Sequence, residues 1–137
     1  MDSIEIQKVN TDQILNIRHR VLWPDQSPDF VKVAEDDTGF HFGLYYDQKL
    51  VSVISLFAEG ESIRFRKFAT LPEFQGKGLG SRLLEHAIDF SLQNHYSRMW
   101  CDARSSVLGF YERFGFQKFS EPFFKERVEY YKIERVF

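Results

Sequence analysis

Gln75-Gly76-Lys77-Gly78-Leu79-Gly80 is the stretch that decides how this chain is read. An extended run, Ser62-Ile63-Arg64-Phe65-Arg66-Lys67-Phe68-Ala69, precedes it, and a run at helical spacing, Ser81 to Phe90, follows. Strand, glycine-rich turn and helix together are the layout of a phosphate-binding loop. Glycine lets the main chain approach an anion closely. The first free N–H groups of the helix then point at that anion, and the helix dipole adds a favourable field. The sequence therefore predicts a phosphorylated ligand, and the spacing narrows its kind.

A Walker loop needs G-x-x-x-x-G-K-[ST]. Leu71 stands where its first Gly must be and Gly78 replaces the Ser/Thr, so that template fails. A dinucleotide fingerprint needs G-x-G-x-x-G, and Ser81 occupies its third Gly position. The strand before it also lacks the continuous apolar character of a buried parallel strand. A third template, Q/R-x-x-G-x-G/A, is satisfied by Gln75, Gly78 and Gly80. Downstream, Gly109-Phe110-Tyr111-Glu112-Arg113-Phe114-Gly115-Phe116 carries an F-Y-E-x-x-G-F run. On these two motifs, and on Phe68 to Phe74 between strand and loop, the chain resembles the GNAT superfamily of acetyl-coenzyme-A-dependent N-acetyltransferases. The resemblance spans about Glu61 to Phe119.

That resemblance implies a mixed, mostly antiparallel sheet flanked by helices, with the strands on either side of the main helix splayed apart. It implies acetyl-CoA as co-substrate, its pantetheine arm lying in the gap like an added strand. Carried over by position, Phe68, Ala69 and Thr70 supply main-chain groups to that arm. Gln75, Gly76, Lys77, Gly78, Leu79, Gly80 and Ser81 hold the pyrophosphate, with Lys77 adding charge. Phe110 and Arg104 fall on the cofactor side, and Tyr111 matches the family's general acid.

The implied chemistry has a size. An amine of pKa ~10.4 is neutral in only about one molecule per thousand near neutral pH, a cost of roughly 4 kcal/mol. A thiol near ~8.5 and a phenol near ~10 are close enough for a Tyr to hand over a proton as the thiolate leaves. Taken alone, Tyr111 reads as a core aromatic at helical spacing with Leu108 and Gly115; beside this loop the acid reading is preferred.

Composition bounds the alternatives. A chain of 137 residues with 17% aromatic residues, 15 of them Phe, has material for one domain over 1–137 with a substantial core. A net charge of -2 gives no overall field for nucleic acid. Cys101 is the one cysteine, so no intrachain disulfide forms, which suits a reducing, cytoplasmic setting. No apolar run approaches the ~18 residues of a membrane span. His-x-x-x-His pairing with Glu is absent and the four His are scattered, so no metal site is expected. A homodimer is compatible with all of this.

Along the chain the pattern reads β-α-(α)-β-β-β-α-β-α-β-β, a mixed α/β (α+β) arrangement. Strands are expected at Ile4 to Val9, Phe40 to Tyr46, Leu50 to Phe57, Ser62 to Ala69, Arg98 to Asp102, Gln117 to Ser120 and Arg127 to Val136. Helices are expected after an Asn10-Thr11-Asp12 cap, at Gly80 to Asn94, and at Ser105 to Phe114, the last stopped by Gly115. Residues 24 to 39 read as a loop with one short helix.

The match has departures. Some members place a Glu base eleven residues before the loop Gln, where this chain has Arg64. Glu59 and Glu61 read as solvated hairpin residues. Many members have Asn where this chain has Arg104, so Asp102 could stand in for that Asn, and Arg104 either reaches a phosphate or solvates the helix start. Arg64 and Arg66 share a strand face and could hold a substrate carboxylate, although a solvated face or pairing with Glu35, Asp36 or Asp37 is the plainer reading. The same holds for Arg18 and Arg20 around His19. His41 and Cys101 read as structural. Trp23 and Phe30 read as core, with the acceptor pocket as the alternative. The best-supported function is transfer of an acetyl group to a small-molecule primary amine by direct attack. The rivals are a non-enzymatic acyl-CoA-binding or sensing module, and an acetyltransferase acting on a protein lysine or N-terminus.

Overall fold

The computed structural model describes residues 3–137. Strand β1 (Ile4–Lys8) leads into helix α1 (Thr11–Leu22), followed by two short 3-10 turns, Pro28–Val31 and Asp36–Thr38. Strands β2 (Phe40–Tyr46), β3 (Lys49–Glu59) and β4 (Ser62–Thr70) form an antiparallel meander. Helix α2 (Leu79–Gln93) crosses to β5 (Arg98–Arg104); a 3-10 turn and helix α3 (Leu108–Glu112) then precede β6 (Gln117–Lys118), β7 (Phe123–Lys125) and β8 (Val128–Val136). The sheet has eight strands in the order β1-β2-β3-β4-β5-β8-β6, with β7 also on β8. This is the mixed, mostly antiparallel sheet that the resemblance implies.

Local chemistry sets the elements. Asn10 and Gln13 close a capping box on α1: the Gln13 N–H donates to Asn10 Oδ1 at 3.0 Å and the Asn10 N–H to Gln13 Oε1 at 2.8 Å. Asp47 and Gln48 turn the β2–β3 hairpin with φ of 48° and 72°, the left-handed pair that matches strand twist. Every residue of β3 from Val51 to Phe57 is buried, which requires cover on both faces. His41 and Ser55 turn to the side of α1, where Ser55 Oγ accepts from Arg18 at 2.8 Å. Neighbouring Phe42 turns the other way onto α2, its ring 4.9 Å from His86 and 5.2 Å from Phe90.

Two features of β4 shape everything that follows. Its pairing with β5 is the sheet's parallel contact and runs only through Ser62–Arg98, Ile63–Met99 and Arg64–Trp100. Both strands continue past that point, β4 to Thr70 and β5 to Arg104, without pairing to each other. In addition, the β3–β4 register slips between Val53–Ala69 and Ser55–Arg66, so that Lys67 and Phe68 together oppose Ile54. Lys67 has φ 55°. This is a β-bulge, and its extra residue reverses the inside–outside alternation of the strand.

The differences from expectation are local. Residues 105 to 114 split into a 3-10 turn and a five-residue helix. Segment 24 to 39 holds two 3-10 turns where one short helix is expected. A short hairpin, β7 to β8, turns at Glu126 and Arg127 with φ of 48° and 69°. No Gly or Asn marks that turn, so the sequence gives no local signal for it. Among the described residues no helix is long and apolar enough to cross a membrane.

Candidate active site

The glycine turn sits where β4 hands over to α2. Gly76 and Gly78 have φ of 76° and 77°, a conformation in which only glycine is unstrained. A Cβ on either would meet nothing within 4 Å, so their open sides are available to a ligand. The first main-chain bond of α2 runs from the Arg82 N–H to the Gly78 carbonyl at 3.2 Å. The N–H groups of Leu79, Gly80 and Ser81 therefore have no helical acceptor. Gly80 packs closely on β4: a Cβ there would lie 3.3 Å from Thr70 Oγ1 and 3.5 Å from the Phe68 ring. Gln75 pins the turn, its Nε2 donating to the Thr70 carbonyl at 2.9 Å.

From this turn a cavity of about 770 Å³ runs through the gap between β4 and β5. The facing main-chain edges of the two diverging strands are free of each other there. Such an edge pairs readily with an extended ligand, and the volume suits one.

Tyr111 lines the cavity and is 9% exposed. α3 inserts it into a cluster with Phe65, Phe68, Phe110 and Phe116, at ring separations of 5.2 to 6.4 Å. The bulge makes this cluster: without the extra residue, Phe65 and Phe68 would lie on opposite faces. Burial pushes the Tyr111 phenol well above its usual value, and Cys101 adds in the same direction. The hydroxyl makes no hydrogen bond to another described residue. Burial likewise raises the Cys101 thiol, which leaves it an inert core group.

The other wall is cationic. Arg64, Arg66, Lys67, Arg104, Arg113 and Lys125 line the cavity, against one carboxylate, Asp102. That carboxylate accepts from Arg64 at 2.7 Å, Lys125 at 2.8 Å and Lys132 at 3.0 Å. Burial raises its pKa, but those hydrogen bonds and charges outweigh burial and hold it below the usual carboxylate range. Asp102 is therefore a poor proton acceptor. Arg64 also stacks 4.5 Å from the Trp100 ring. Arg104 lies 5.0 Å over Trp23 and donates to the Leu22 carbonyl at 2.9 Å and to the Tyr130 hydroxyl at 3.3 Å, so it clamps the end of α1.

The profile of the acetyltransferase (GNAT) family matches residues 9–116. The chain belongs to this family. It is 33% identical over 129 residues to the uncharacterized N-acetyltransferase YitI of Bacillus subtilis (strain 168), across 88% of this chain and 87% of that one. Among solved structures it resembles Escherichia coli ElaA, with a TM-score of 0.83 at 14% identity, covering 98% of this chain and 99% of that one. It also resembles a GNAT family acetyltransferase from Elizabethkingia anophelis with acetyl-CoA bound, with a TM-score of 0.79 at 16% identity and 98% of each chain covered. At those identities the likeness is one of fold. As a GNAT protein the chain is an acyltransferase of the N-acetyltransferase class that uses an acyl-CoA thioester.

In this GNAT chain the sequence-predicted residues converge, with one outlier. Phe68, Ala69, Thr70, Gln75, Gly76, Gly78, Leu79, Gly80 and Ser81 line the cavity, as do Arg104, Phe110, Tyr111, Arg64 and Arg66. Lys77 is exposed and outside the lining. Trp23 lines it too, backed edge-on by Phe30 at 5.3 Å. Glu59 lies on the exposed hairpin end expected of it, and there accepts from Trp100 Nε1 at 2.8 Å. Sequence reasoning missed Lys67 and Lys125. The aromatic pair Phe65 and Phe68, three apart in a strand of period two, was the available sign of the bulge that aims Lys67.

Proposed function

We propose that this GNAT enzyme transfers an acetyl group from acetyl-CoA to a primary amine of a small molecule by direct attack, with Tyr111 as general acid. The observation that carries the reading is the single cavity joining the Gly76–Ser81 turn, the β4–β5 gap and Tyr111. When bound, acetyl-CoA supplies an activated acyl carbon and a thiol leaving group. The N–H groups of Leu79, Gly80 and Ser81 are the donors for its pyrophosphate, and the free edge of Phe68 to Thr70 serves its pantetheine arm. Tyr111 holds a proton at neutral pH because burial keeps the phenol neutral. With no acceptor among the described residues, its O–H is free to donate toward a departing thiolate. The lining offers no carboxylate base, since Asp102 is committed to three cations; the acceptor proton leaves through water. Walls from Val21, Leu22 and Trp23 at the end of α1 favour a small acceptor.

Calorimetric titration with acetyl-CoA, followed by thiol release on adding a panel of small amines, tests this. Binding with turnover supports it. Binding with turnover only on peptides would move the acceptor to protein, and binding without any turnover would leave an acyl-CoA sensor.

A further inference from the structure

We propose that Arg66 and Lys67 form an anion-binding subsite at the acceptor end of the cavity, so that the amine this enzyme acetylates also carries a carboxylate or a phosphate. The inference rests on the acetyltransferase reading above and deepens it.

The cationic groups of the lining are not equivalent. Arg64 and Lys125 close on Asp102, Arg104 donates to Tyr130 and Leu22, and Arg113 packs 5.5 Å over the Phe110 ring. The side chains of Arg66 and Lys67 make no hydrogen bond, ion pair or ring contact to any described residue, yet both line the cavity. Arg66 opposes Ser55, whose hydroxyl binds Arg18 of α1, so it lies on the α1 side of the sheet. The glycine turn lies on the other side, where Gly80 meets Thr70 and Phe68. The two cations are thus separate from the donors assigned to pyrophosphate.

Their surroundings are unfavourable to their own charge. Lys67 feels burial first, then Arg66 beside it, Arg18 from α1 and Lys125 from β7; Asp36 is the opposing charge, and it is closed on Arg18. Together these lower the Lys67 amine to about 8. Burial, followed by Arg64, also lowers Arg66, with Glu35 and Asp102 opposing. Arg64, Lys125 and Lys132 each have a direct carboxylate contact, shared at Asp102. At Arg66 and Lys67 two adjacent like charges are held half-buried and unbalanced, and a bound anion would relieve both. A guanidinium fork beside an ammonium suits a carboxylate or a phosphate, two donors from the planar group and one from the point charge.

The test uses matched acceptors: an ω-amino carboxylate against its primary amide, and an aminoalkyl phosphate against the parent amino alcohol. The unmodified enzyme should prefer the charged member of at least one pair in kcat/KM by about 10- to 100-fold, and the pair showing it identifies the anion. Arg66→Gln and Lys67→Met should each lower kcat/KM for the charged member at least about tenfold more than for its neutral twin. A second readout needs no turnover: with CoA saturating and the pH near 8, the charged amine should take up more protons on binding than its neutral twin as Lys67 regains its proton, detected by calorimetry in buffers of different ionisation enthalpy. Equal rates across both pairs overturn the subsite, as does an equal loss on both twins, which would assign Lys67 to the transfer step itself. In either case acetyl-CoA binding and turnover of a neutral amine would keep the acetyltransferase reading intact. Absence of acetyl-CoA binding would remove both.

Discussion

Arg18 of α1 and Asp36 of the second 3-10 turn form a two-pronged ion pair, Nη1 to Oδ2 and Nη2 to Oδ1, each at 2.9 Å, with the two side chains 0% and 7% exposed. The network extends to the Val31 carbonyl, Ser55 and His41. It ties segment 24 to 39, which backs Trp23, to the sheet.

Asp36→Asn should therefore destabilise the fold by about 3 kcal/mol, because it leaves a fully buried guanidinium uncompensated. Burial raises the Asp36 pKa, but Arg18 and the Val33 N–H outweigh it and the net shift is downward. The stabilisation is thus present above the ordinary carboxylate range and is lost as pH falls through the lowered value. Urea melts from neutral to acid pH check both points. A loss no larger than that of an exposed pair such as Arg20–Glu73, 49% and 45% exposed, would show the network to be solvated.

Tyr111→Phe keeps the ring in its aromatic cluster and removes a hydroxyl with no hydrogen-bond partner among the described residues. The fold and the affinity for acetyl-CoA should hold while kcat falls about 100-fold or more. Because the phenol is raised above its ordinary value, activity should show no alkaline limb from this group below about pH 10. A variant with full kcat would remove Tyr111 from the chemistry.

Gly78→Ala forces a side chain into φ 77°, at a cost of roughly 1–2 kcal/mol, and puts a methyl group in the open approach to the α2 N-terminus. Acetyl-CoA affinity should drop about tenfold or more. Gly109→Ala, in α3 with open space around its Cβ, is the contrast: it should leave thermal stability level or raise it. Equal affinity for acetyl-CoA in the Gly78 variant would argue that the phosphates sit elsewhere.

Lys67→Met should raise the melting temperature of the ligand-free protein at pH 7. The folded state lowers this amine to about 8, so folding works against the charged form at neutral pH. Between that value and the unfolded value near ~10.4, the unfolded chain holds more protons, and the stability of the parent rises with pH. The advantage of the variant should shrink across the same window. A melting difference independent of pH would mean that the amine reaches solvent freely.

Much of this was legible because the relevant signals are local. The Gly76 and Gly78 backbone conformations follow from residue identity, and so does the capping box at Asn10 and Gln13. The alternation in Phe40 to Tyr46 and the apolar run of β3 announce a covered sheet. What was hidden depends on tertiary partners. Asp102 reads as a stand-in for a neutral amide until three cations arrive from β4, β7 and β8. Arg104 reads as a phosphate ligand or a solvated group at the helix start, and its contacts with Trp23 and Leu22, some eighty residues away in the chain, have no local signal. Arg64 and Arg66 are indistinguishable as letters, and the structure separates one that is neutralised from one that is not. The β7–β8 turn uses Glu126 and Arg127 in left-handed conformations that neither residue advertises.

The bulge in β4 makes residue number a stricter requirement than residue identity over Arg66 to Phe68. A substitution at position 67 keeps the extra residue in the strand, but deleting it would restore simple alternation. Every residue on one side of the cut would then face the opposite helix layer. Either Phe65 would leave the ring cluster around Tyr111, or Phe68 and Thr70 would turn away from Gly80. A one-codon loss here would exchange the two surfaces of a strand, where a point change alters only one side chain. In a library that samples both, tolerance at this position should split sharply by the kind of edit.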